Sequence, residues 1–561
     1  MSTVTPPSAV ETSVVDEPPL PRAPATEHVV AGVRLPPLPR PPAAVWFATA
    51  LFGLMAALWT VAVPPMRAPD EPAHVDLILY LAEGHGYPGY DQRYFGQALE
   101  LHTKRYLVDS RYHWPTFDAS AAVPRSERPD VADLGGTAPD DQAMPPNLGR
   151  PDFPRAYNQM PQHPPLYYEA MATLLRVERW LLPGSELPSL DKELGLLRLA
   201  NVLLVLPLPL LAWAAVRRIG GSNRAGTVAA LLPLALPQLL HIVASVNNDN
   251  LLILLGGVLA VLLAGVARGL RAWRTDVAVA VVLGLALLTK AFAVMFVPAV
   301  VVAYALCAWT TGRRRASAGG LARVGAVSAV LGGWWWIGNL IREGQVAPTT
   351  ETLTRTEADR PPEFHAEGIR FVWTFTGRLI TRTWAWIGFR NPKFELPVLV
   401  VMLAMAVVIV AVVAAAIRAR PGRSAEGGPR RADIAFAWLA VAMLLLFVMR
   451  RAWGLHETTG LYAFIQGRYL YSALVGPMAV VALGLVAMFR RQAVLVTLAA
   501  TLTLQIWVLA EVVHGSWSGP GMFGPVRGML AWSPWPPLLV IATGVLAATA
   551  AVATVRTKVR A

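Results

Sequence analysis

Asn247-Asn248-Asp249-Asn250-Leu251-Leu252-Ile253-Leu254-Leu255-Gly256-Gly257-Val258-Leu259-Ala260-Val261-Leu262-Leu263-Ala264-Gly265-Val266-Ala267-Arg268 decides what kind of chain this is. The run from 250 to 267 carries no charge, and as a helix rising about 1.5 Å per residue it nearly matches the roughly 30 Å of bilayer hydrocarbon. Its two ends differ chemically. Amides and a carboxylate precede it, and Arg268, Arg271 and Arg274 follow it.

Working outward, comparable apolar runs lie at about 43–63, 195–216, 225–245, 275–289, 291–311, 321–341, 395–417, 432–449, 468–489, 493–512 and 536–555. The chain therefore reads as an all-α polytopic membrane protein with about twelve transmembrane helices. Composition agrees, with 55% hydrophobic and 15% charged residues and a mean hydropathy of +0.45. The net charge of +13 is spread over short loops between apolar runs. It is a topology signal and gives no reason to expect a nucleic-acid partner. Cys307 is the only cysteine, so neither an intramolecular disulfide nor a thiolate metal site can form.

Arginine fixes the expected orientation. Arg217, Arg218 and Arg224, then Arg268, Arg271 and Arg274, then Arg313, Arg314 and Arg315, then Arg418, Arg420, Arg423, Arg430 and Arg431, then Arg490 and Arg491 fall in alternate loops. The positive-inside rule puts these, and both termini, in the cytoplasm. The expected organisation is a Pro-rich disordered cytoplasmic tail over 1–42, a transmembrane domain over 43–555, and a cytoplasmic tail over 556–561 with Arg556, Lys558 and Arg560. The first apolar stretch begins near Ala43, too late for a secretory signal, and is read as a retained helix. Two long loops, 64–193 and 342–393, and a short polar one, 450–467, face out. Heavy use of Ala, Val, Arg and Pro is associated with GC-rich bacterial genomes, so a bacterial plasma membrane is the expected location.

The long first outer loop is predicted to carry short amphipathic helices. One covers about 71–84 with Pro72 in its first turn and Gly84 as its stop, lying on the membrane; a second runs from Pro164 to Leu182. Between them, 119–154 is rich in Ala, Pro, Gly and Asp and is expected to be irregular.

The polar residues with chemical potential all fall on this outer side. Asp70 and Glu71 precede Pro72; there a carboxylate either caps a helix or accepts a proton from a bound hydroxyl. His74 is four residues after Asp70, so Asp70, His74 and His163 are weak candidates for holding a divalent cation. His163 precedes Pro164-Pro165 and Tyr167, which equally suits plain helix initiation. Asn248 and Asp249 occupy a turn that turn chemistry alone would explain. Lys290 sits where two apolar runs meet, a costly place for an ammonium unless it snorkels or meets an anion such as a lipid phosphate. Gln466, Arg468 and Tyr469 open a span where a guanidinium can hold phosphate with two parallel hydrogen bonds. Arg382 could add to that site, or serve with Trp384 and Trp386 as an interfacial anchor.

Pro69-Asp70-Glu71-Pro72-Ala73-His74, His163-Pro164-Pro165-Leu166, Asn247-Asn248-Asp249, Lys290 and Gln466-Gly467-Arg468-Tyr469 occur in an order that resembles the GT-C superfamily of membrane glycosyltransferases. Within it the chain looks most similar, over about residues 43–515, to the bacterial membrane proteins grouped as domain-of-unknown-function family 2142. The resemblance implies a GT-C-like fold and an inverting transfer of sugar from a polyprenyl-phosphate donor to a glycan, lipid or protein acceptor of the cell envelope. It implies that Asp70 or Glu71 orients or deprotonates the acceptor hydroxyl. His74, His163, Tyr167, Asn248, Asp249, Arg382, Gln466 and Tyr469 would bind substrate, and Lys290 and Arg468 would hold the donor phosphate. No organic cofactor is implied. The acidic motif is Asp-Glu-Pro, where some protein mannosyltransferases carry paired aspartates. The alternative is a transporter, flippase or export component for a lipid-linked sugar or envelope polymer, gripping phosphate with the same cations and breaking no bond.

Overall fold

The computed structural model describes residues 38–93, 158–182, 187–350, 363–388, 394–422 and 428–557. The expectations for 1–37 and for 119–154, and Arg423, Lys558 and Arg560, lie outside these residues.

The chain opens with α1 (Ala43–Ala62) and the short α2 (Glu71–Ala82). Then come α3 (Leu166–Leu181), α4 (Leu190–Val205), α5 (Leu208–Arg218), α6 (Asn223–Leu231), α7 (Pro237–Val243) and α8 (Asp249–Ala267). The middle holds α9 (Trp273–Leu287), α10 (Val297–Thr311), α11 (Arg314–Ser328), α12 (Trp334–Glu343) and α13 (Gly368–Trp384). The last part holds α14 (Val398–Arg418), α15 (Arg431–Ala437), α16 (Leu439–Thr459), α17 (Val475–Phe489), α18 (Ala493–Ser516), α19 (Gly524–Trp532) and α20 (Pro537–Arg556). The only sheet among the described residues is an antiparallel pair, β1 (Trp386–Ile387) with β2 (Phe394–Glu395), Trp386 facing Glu395. The protein is an all-α, multi-pass membrane protein.

Among the described residues nine helical stretches are long and apolar enough to cross a bilayer, and ten if α6 and α7, bent by 75° at the Leu236 break, form one span. The difference from twelve has two causes. The 15-residue α9, about 22 Å long at 1.5 Å per residue, is shorter than a helix that crosses alone, although the segment from Asp276 to Lys290 does join the two polar ends of α8. The 42-residue stretch Val475–Ser516 is broken at Arg490, whose φ is 50°, into two helices, α17 and α18. The helices carry large apolar side chains outward, for example Leu399 and Ile417 of α14 and Leu538 of α20, as lipid-facing surfaces require.

α8 separates two polar ends about 28 Å apart along its 19 residues. At its C-terminal end Arg268 donates to Asp433 (2.6 Å) and to the Ile219 carbonyl (3.1 Å), while Arg430 donates to Asp433 (2.7 Å) and the Ala267 carbonyl (3.1 Å). Beside them Asp276 takes both Arg271 (2.8 Å) and Arg323 (2.7 Å). Loops that the arginine pattern assigned to one side therefore touch one another. At the opposite end of α8 the loops before α2, α3, α8, α10 and α17 converge.

α2 corrects one expectation. Instead of lying on a membrane surface it is buried at all its residues but Pro72, packed against α3 with Trp517 in the same cluster. Asp76 anchors the chain on both sides of the undescribed 94–157 stretch, taking Arg93 Nε at 2.7 Å and Asn158 Nδ2 at 2.6 Å. α3 is amphipathic as read, burying Tyr167, Tyr168, Met171, Ala172 and Leu175, with Trp180 81% exposed.

The sidedness is testable with single cysteines in a Cys307→Ser background. Gly86 and Ala316 are both exposed, and a side chain at Gly86 meets open space. On intact cells an impermeant maleimide is expected to label Gly86→Cys, and to reach Ala316→Cys only after permeabilisation; the reverse pattern would overturn the orientation.

Candidate active site

Two loop residues and two helix-start residues build a buried row of alternating charge. Lys290 lies in extended backbone (φ −162°, ψ 146°) between α9 and the 3-10 turn Ala291–Phe296. Its ammonium donates to Asp249 Oδ1 at 2.6 Å and to Asn248 Oδ1 at 3.3 Å. Asp249 Oδ2 faces Arg468 Nε at 3.8 Å, and Arg468 Nη2 donates to Asp70 Oδ2. The order is Lys290, Asp249, Arg468, Asp70. Asp249 is the first residue of α8, where the helix dipole favours negative charge. The anion that meets Lys290 in this structure is thus a protein carboxylate.

Asp70 does not cap α2. It precedes the helix in left-handed backbone (φ 60°) with no side-chain capping bond, a conformation that costs a non-glycine residue about 1–3 kcal/mol. This strain turns the carboxylate toward Arg468, and 24% of its side chain stays open to solvent against 6% for Arg468. Burial alone would raise the Asp70 carboxyl, but Arg468, with Lys290 beyond it, outweighs burial and holds the group below the ordinary carboxylate range.

The walls are aromatic. Tyr469 stands 5.5 Å from the Arg468 guanidinium and 5.7 Å from the Lys290 ammonium, with Phe292 5.2 Å from Lys290, distances at which ring faces attract cations. Two glycines let the Arg468 loop sit so close. A Cβ on Gly467 would lie 2.3 Å from Thr383 Cα, and one on Gly256 would lie 2.0 Å from the Ser472 carbonyl oxygen. Arg382 is one layer behind, donating to the Ile465 carbonyl (2.7 Å) with its guanidinium 4.3 Å from the Trp386 ring. Gln466 opens the 3-10 turn Gly467–Ala473.

The site retains unpaired polar atoms. Arg468 Nε, Asp249 Oδ2 and Asn248 Nδ2 are buried with no hydrogen-bond partner, a costly arrangement unless something else enters.

Other residues of the sequence reading prove structural in setting. Glu71 is fully buried and saturated: Arg198 Nε and Nη2 grip its two oxygens at 2.8 and 2.6 Å, and the Val246 amide donates to it at 3.2 Å. Arg198 also donates to the carbonyls of Thr60, Val63 and Pro64. This clasp fixes the turn between α1 and α2, and removing one partner alone would cost about 3–5 kcal/mol. A catalytic Glu71 is therefore replaced by a structural one. Tyr167 is likewise enclosed, its hydroxyl donating to Asn201 at 3.0 Å, to which Asn250 also donates at 2.9 Å. The Asn-Asn-Asp-Asn stretch is more than a turn, since its members separately bind Pro69, Lys290 and Asn201.

His74 Nδ1 lies 3.0 Å from the Tyr168 hydroxyl, with the two rings stacked. His163 accepts the Tyr87 hydroxyl on its carbonyl at 2.7 Å. Among the described residues no three His, Cys, Asp or Glu groups are placed to share a metal ion; Asp70 is held by Arg468 and His74 by Tyr168. Arg198, Asn201 and Tyr168 were missed as site-forming residues. Arg198 was visible as a charge inside an apolar run, which usually marks an intramembrane partner.

Burial, with Lys290 nearby, pushes both His74 and His163 well below the usual imidazole range. The unfolded chain binds protons on these rings below about pH 6.5 while the folded rings stay neutral. Their contribution is thus fully present above that pH and lost as pH falls. The thermal midpoint in detergent is expected to drop from about pH 7.5 to about pH 5.5, and His163→Gln is expected to shrink the drop; an equally steep drop in that variant would contradict the assignment.

Residues 190–336 match the model of the dolichyl-phosphate-mannose-protein mannosyltransferase family, an interval that includes Arg198, Asn248, Asp249 and Lys290. None of the curated proteins matches the chain significantly in sequence. Among solved structures, ArnT from Cupriavidus metallidurans bound to undecaprenyl phosphate is 18% identical, covering 70% of this chain and 68% of its own at a TM-score of 0.36. The Archaeoglobus fulgidus oligosaccharyltransferase tethered to an acceptor peptide is 13% identical, covering 92% of this chain and 56% of its own at a TM-score of 0.37. The same organism's AglB in complex with an inhibitory peptide and a dolichol-phosphate is 12% identical, covering 85% and 56% at a TM-score of 0.34.

Proposed function

We propose that the protein is an integral membrane glycosyltransferase of GT-C type. It would move a sugar, with inversion, from a polyprenyl-phosphate donor to a cell-envelope acceptor on the outer face of a bacterial plasma membrane. The observation that carries this reading is the buried row of Lys290, Asp249 and Arg468 ending at the solvent-open carboxylate of Asp70. The partial match to a family named for dolichyl-phosphate-mannose supports the donor class, because the matched interval contains Lys290 and its partners.

The chemistry follows from charge. Before substrate arrives two cations are balanced by two carboxylates. A donor phosphate entering beside Arg468 supplies acceptors for Arg468 Nε and Asn248 Nδ2 and competes with Asp70 for the guanidinium. Asp70, losing its cation, becomes a stronger base for the acceptor hydroxyl. The acceptor oxygen then bonds to the anomeric carbon and the carbon–oxygen bond to phosphate breaks. The electron pair leaves with the phosphate oxygen, and the hydroxyl proton passes to Asp70. Negative charge growing on the departing phosphate is stabilised by Arg468 and Lys290, which are already desolvated and fixed. This reading assigns the charge role to the two side chains without a divalent cation.

The test is sugar transfer by the purified protein from radiolabelled polyprenyl-phosphate sugars to endogenous envelope acceptors. Asp70→Asn is expected to lower turnover about 10²–10⁴-fold, and Arg468→Ala about 10²–10³-fold with weaker donor binding. Wild-type transfer is expected to survive chelation by EDTA. Unchanged turnover in Asp70→Asn would remove that residue from the reaction, and donor binding without turnover on any acceptor would favour the transporter.

A further inference from the structure

Beyond the charged row, the outer face contains a separate cavity of about 340 Å³ between the segment after α2 and helix α12. It lies within the size range of small-molecule sites. Its lining joins ring faces to planar hydrogen-bonding groups: Tyr87, Tyr90 and Trp335 on one hand, Gln162, Asn339 and Arg342 on the other. The Tyr87 and Trp335 rings meet edge to face at 5.5 Å. Trp335 Nε1 is buried without a hydrogen-bond partner, and Asn339 is only 4% exposed. Arg342 and Glu343, which also lines the cavity, reach the surface.

The cavity is coupled to the charged row. Gln162 directly precedes His163, and Tyr87 donates to the His163 carbonyl at 2.7 Å. Tyr87 also packs against Tyr168, 6.3 Å between ring centres, and the Tyr168 hydroxyl lies 3.0 Å from His74 on the helix that Asp70 precedes. Tyr87, Tyr168 and His74 thus form a line of rings running from the cavity to the helix that Asp70 precedes. A lipid acyl chain does not suit it, because its walls carry an amide, a guanidinium and a carboxylate beside the rings.

We propose that this cavity is a carbohydrate subsite that holds the acceptor end of the reaction. A pyranose presents an apolar face of C–H groups, which suits a tyrosine or tryptophan ring. Its rim of paired hydroxyls suits side chains such as asparagine, glutamine and arginine that make two hydrogen bonds in one plane. An unpartnered indole N–H inside the wall gains an acceptor when such a hydroxyl arrives. The acceptor is therefore a glycan or glycolipid headgroup. This inference rests on the transfer reading for the word acceptor, but binding itself is independent of turnover.

The experiment is saturation-transfer NMR on the full-length protein in detergent, with methyl α- and β-glycosides of glucose, galactose, mannose and arabinose as probes. At least one glycoside is expected to receive saturation. The signal is expected to fall at least about fivefold in Asn339→Leu and in Trp335→Leu, and to persist in Asp70→Asn and Arg468→Ala. Glu343→Gln, at an exposed position, leaves the packing of the fold untouched and is expected to weaken the signal as well. No saturation of any glycoside, or saturation undiminished in all three cavity variants, would overturn the subsite. In the transfer assay Asn339→Leu is expected to raise the acceptor KM at unchanged donor KM; an unchanged acceptor KM would overturn the subsite while leaving donor chemistry intact. Saturation lost in the cavity variants of a protein that shows no turnover would uphold the subsite and remove the transfer reading.

Discussion

Everything at the end of the bundle where α8 begins is organised by one constraint: two cations and two carboxylates, largely out of water, must neutralise one another. Charges removed from water cost several kcal/mol each unless paired with good geometry. Lys290 and Arg468 meet that requirement only because Asp249 stands between them and Asp70 closes the row. The surrounding architecture serves this placement. α8 starts with the carboxylate where its dipole favours one, α9 stops short so that Lys290 can lie in extended chain, and Gly467 and Gly256 let the Arg468 loop approach its neighbours. The Arg198–Glu71 clasp then holds Asp70 in left-handed backbone at the open end.

The fold was legible to the extent that hydrocarbon thickness controls it. Runs such as 250–267 and 395–417 can hardly be anything but spanning helices, and the alternation of arginine loops is matched by the way Arg268, Arg430 and Asp433 gather at one end. What composition could not convey was helix geometry. The 225–245 run carries no Asp, Glu, Lys or Arg, yet it bends by 75° at Leu236, between Pro233 and Pro237. The 275–289 run looks long enough until α9 ends at Leu287, two residues before Thr289 and three before Lys290. α2 reads as an interfacial helix because it contains His74, Asp76 and Tyr80, but tertiary partners from distant segments bury all three.

The site was legible as a set of residue types on one side and illegible as a set of roles. Asp70 and Glu71 are adjacent in sequence and chemically alike, and only their partners 398 and 127 positions away tell them apart: Arg468 leaves Asp70 open, whereas Arg198 seals Glu71. Arg382 carries the same side chain as Arg468 and is spent on a backbone carbonyl and a tryptophan ring. The Asn-Asn-Asp-Asn stretch satisfied a turn prediction, which hid the fact that Asn248 and Asp249 face Lys290. Ion pairing between segments hundreds of residues apart has no periodicity, so no local pattern announces it.

The most direct test of the account is whether the charged row recognises a lipid phosphate as an anion. Thermal unfolding of the detergent-solubilised protein would be followed with undecaprenyl phosphate and with the uncharged undecaprenol. A ligand present at 100 times its dissociation constant stabilises the folded state by about 2.7 kcal/mol. The account predicts a rise in midpoint with the phosphate, little with the alcohol, and loss of the difference in Arg468→Gln. Equal stabilisation by the phosphate and the alcohol, or a phosphate effect undiminished in that variant, would contradict it.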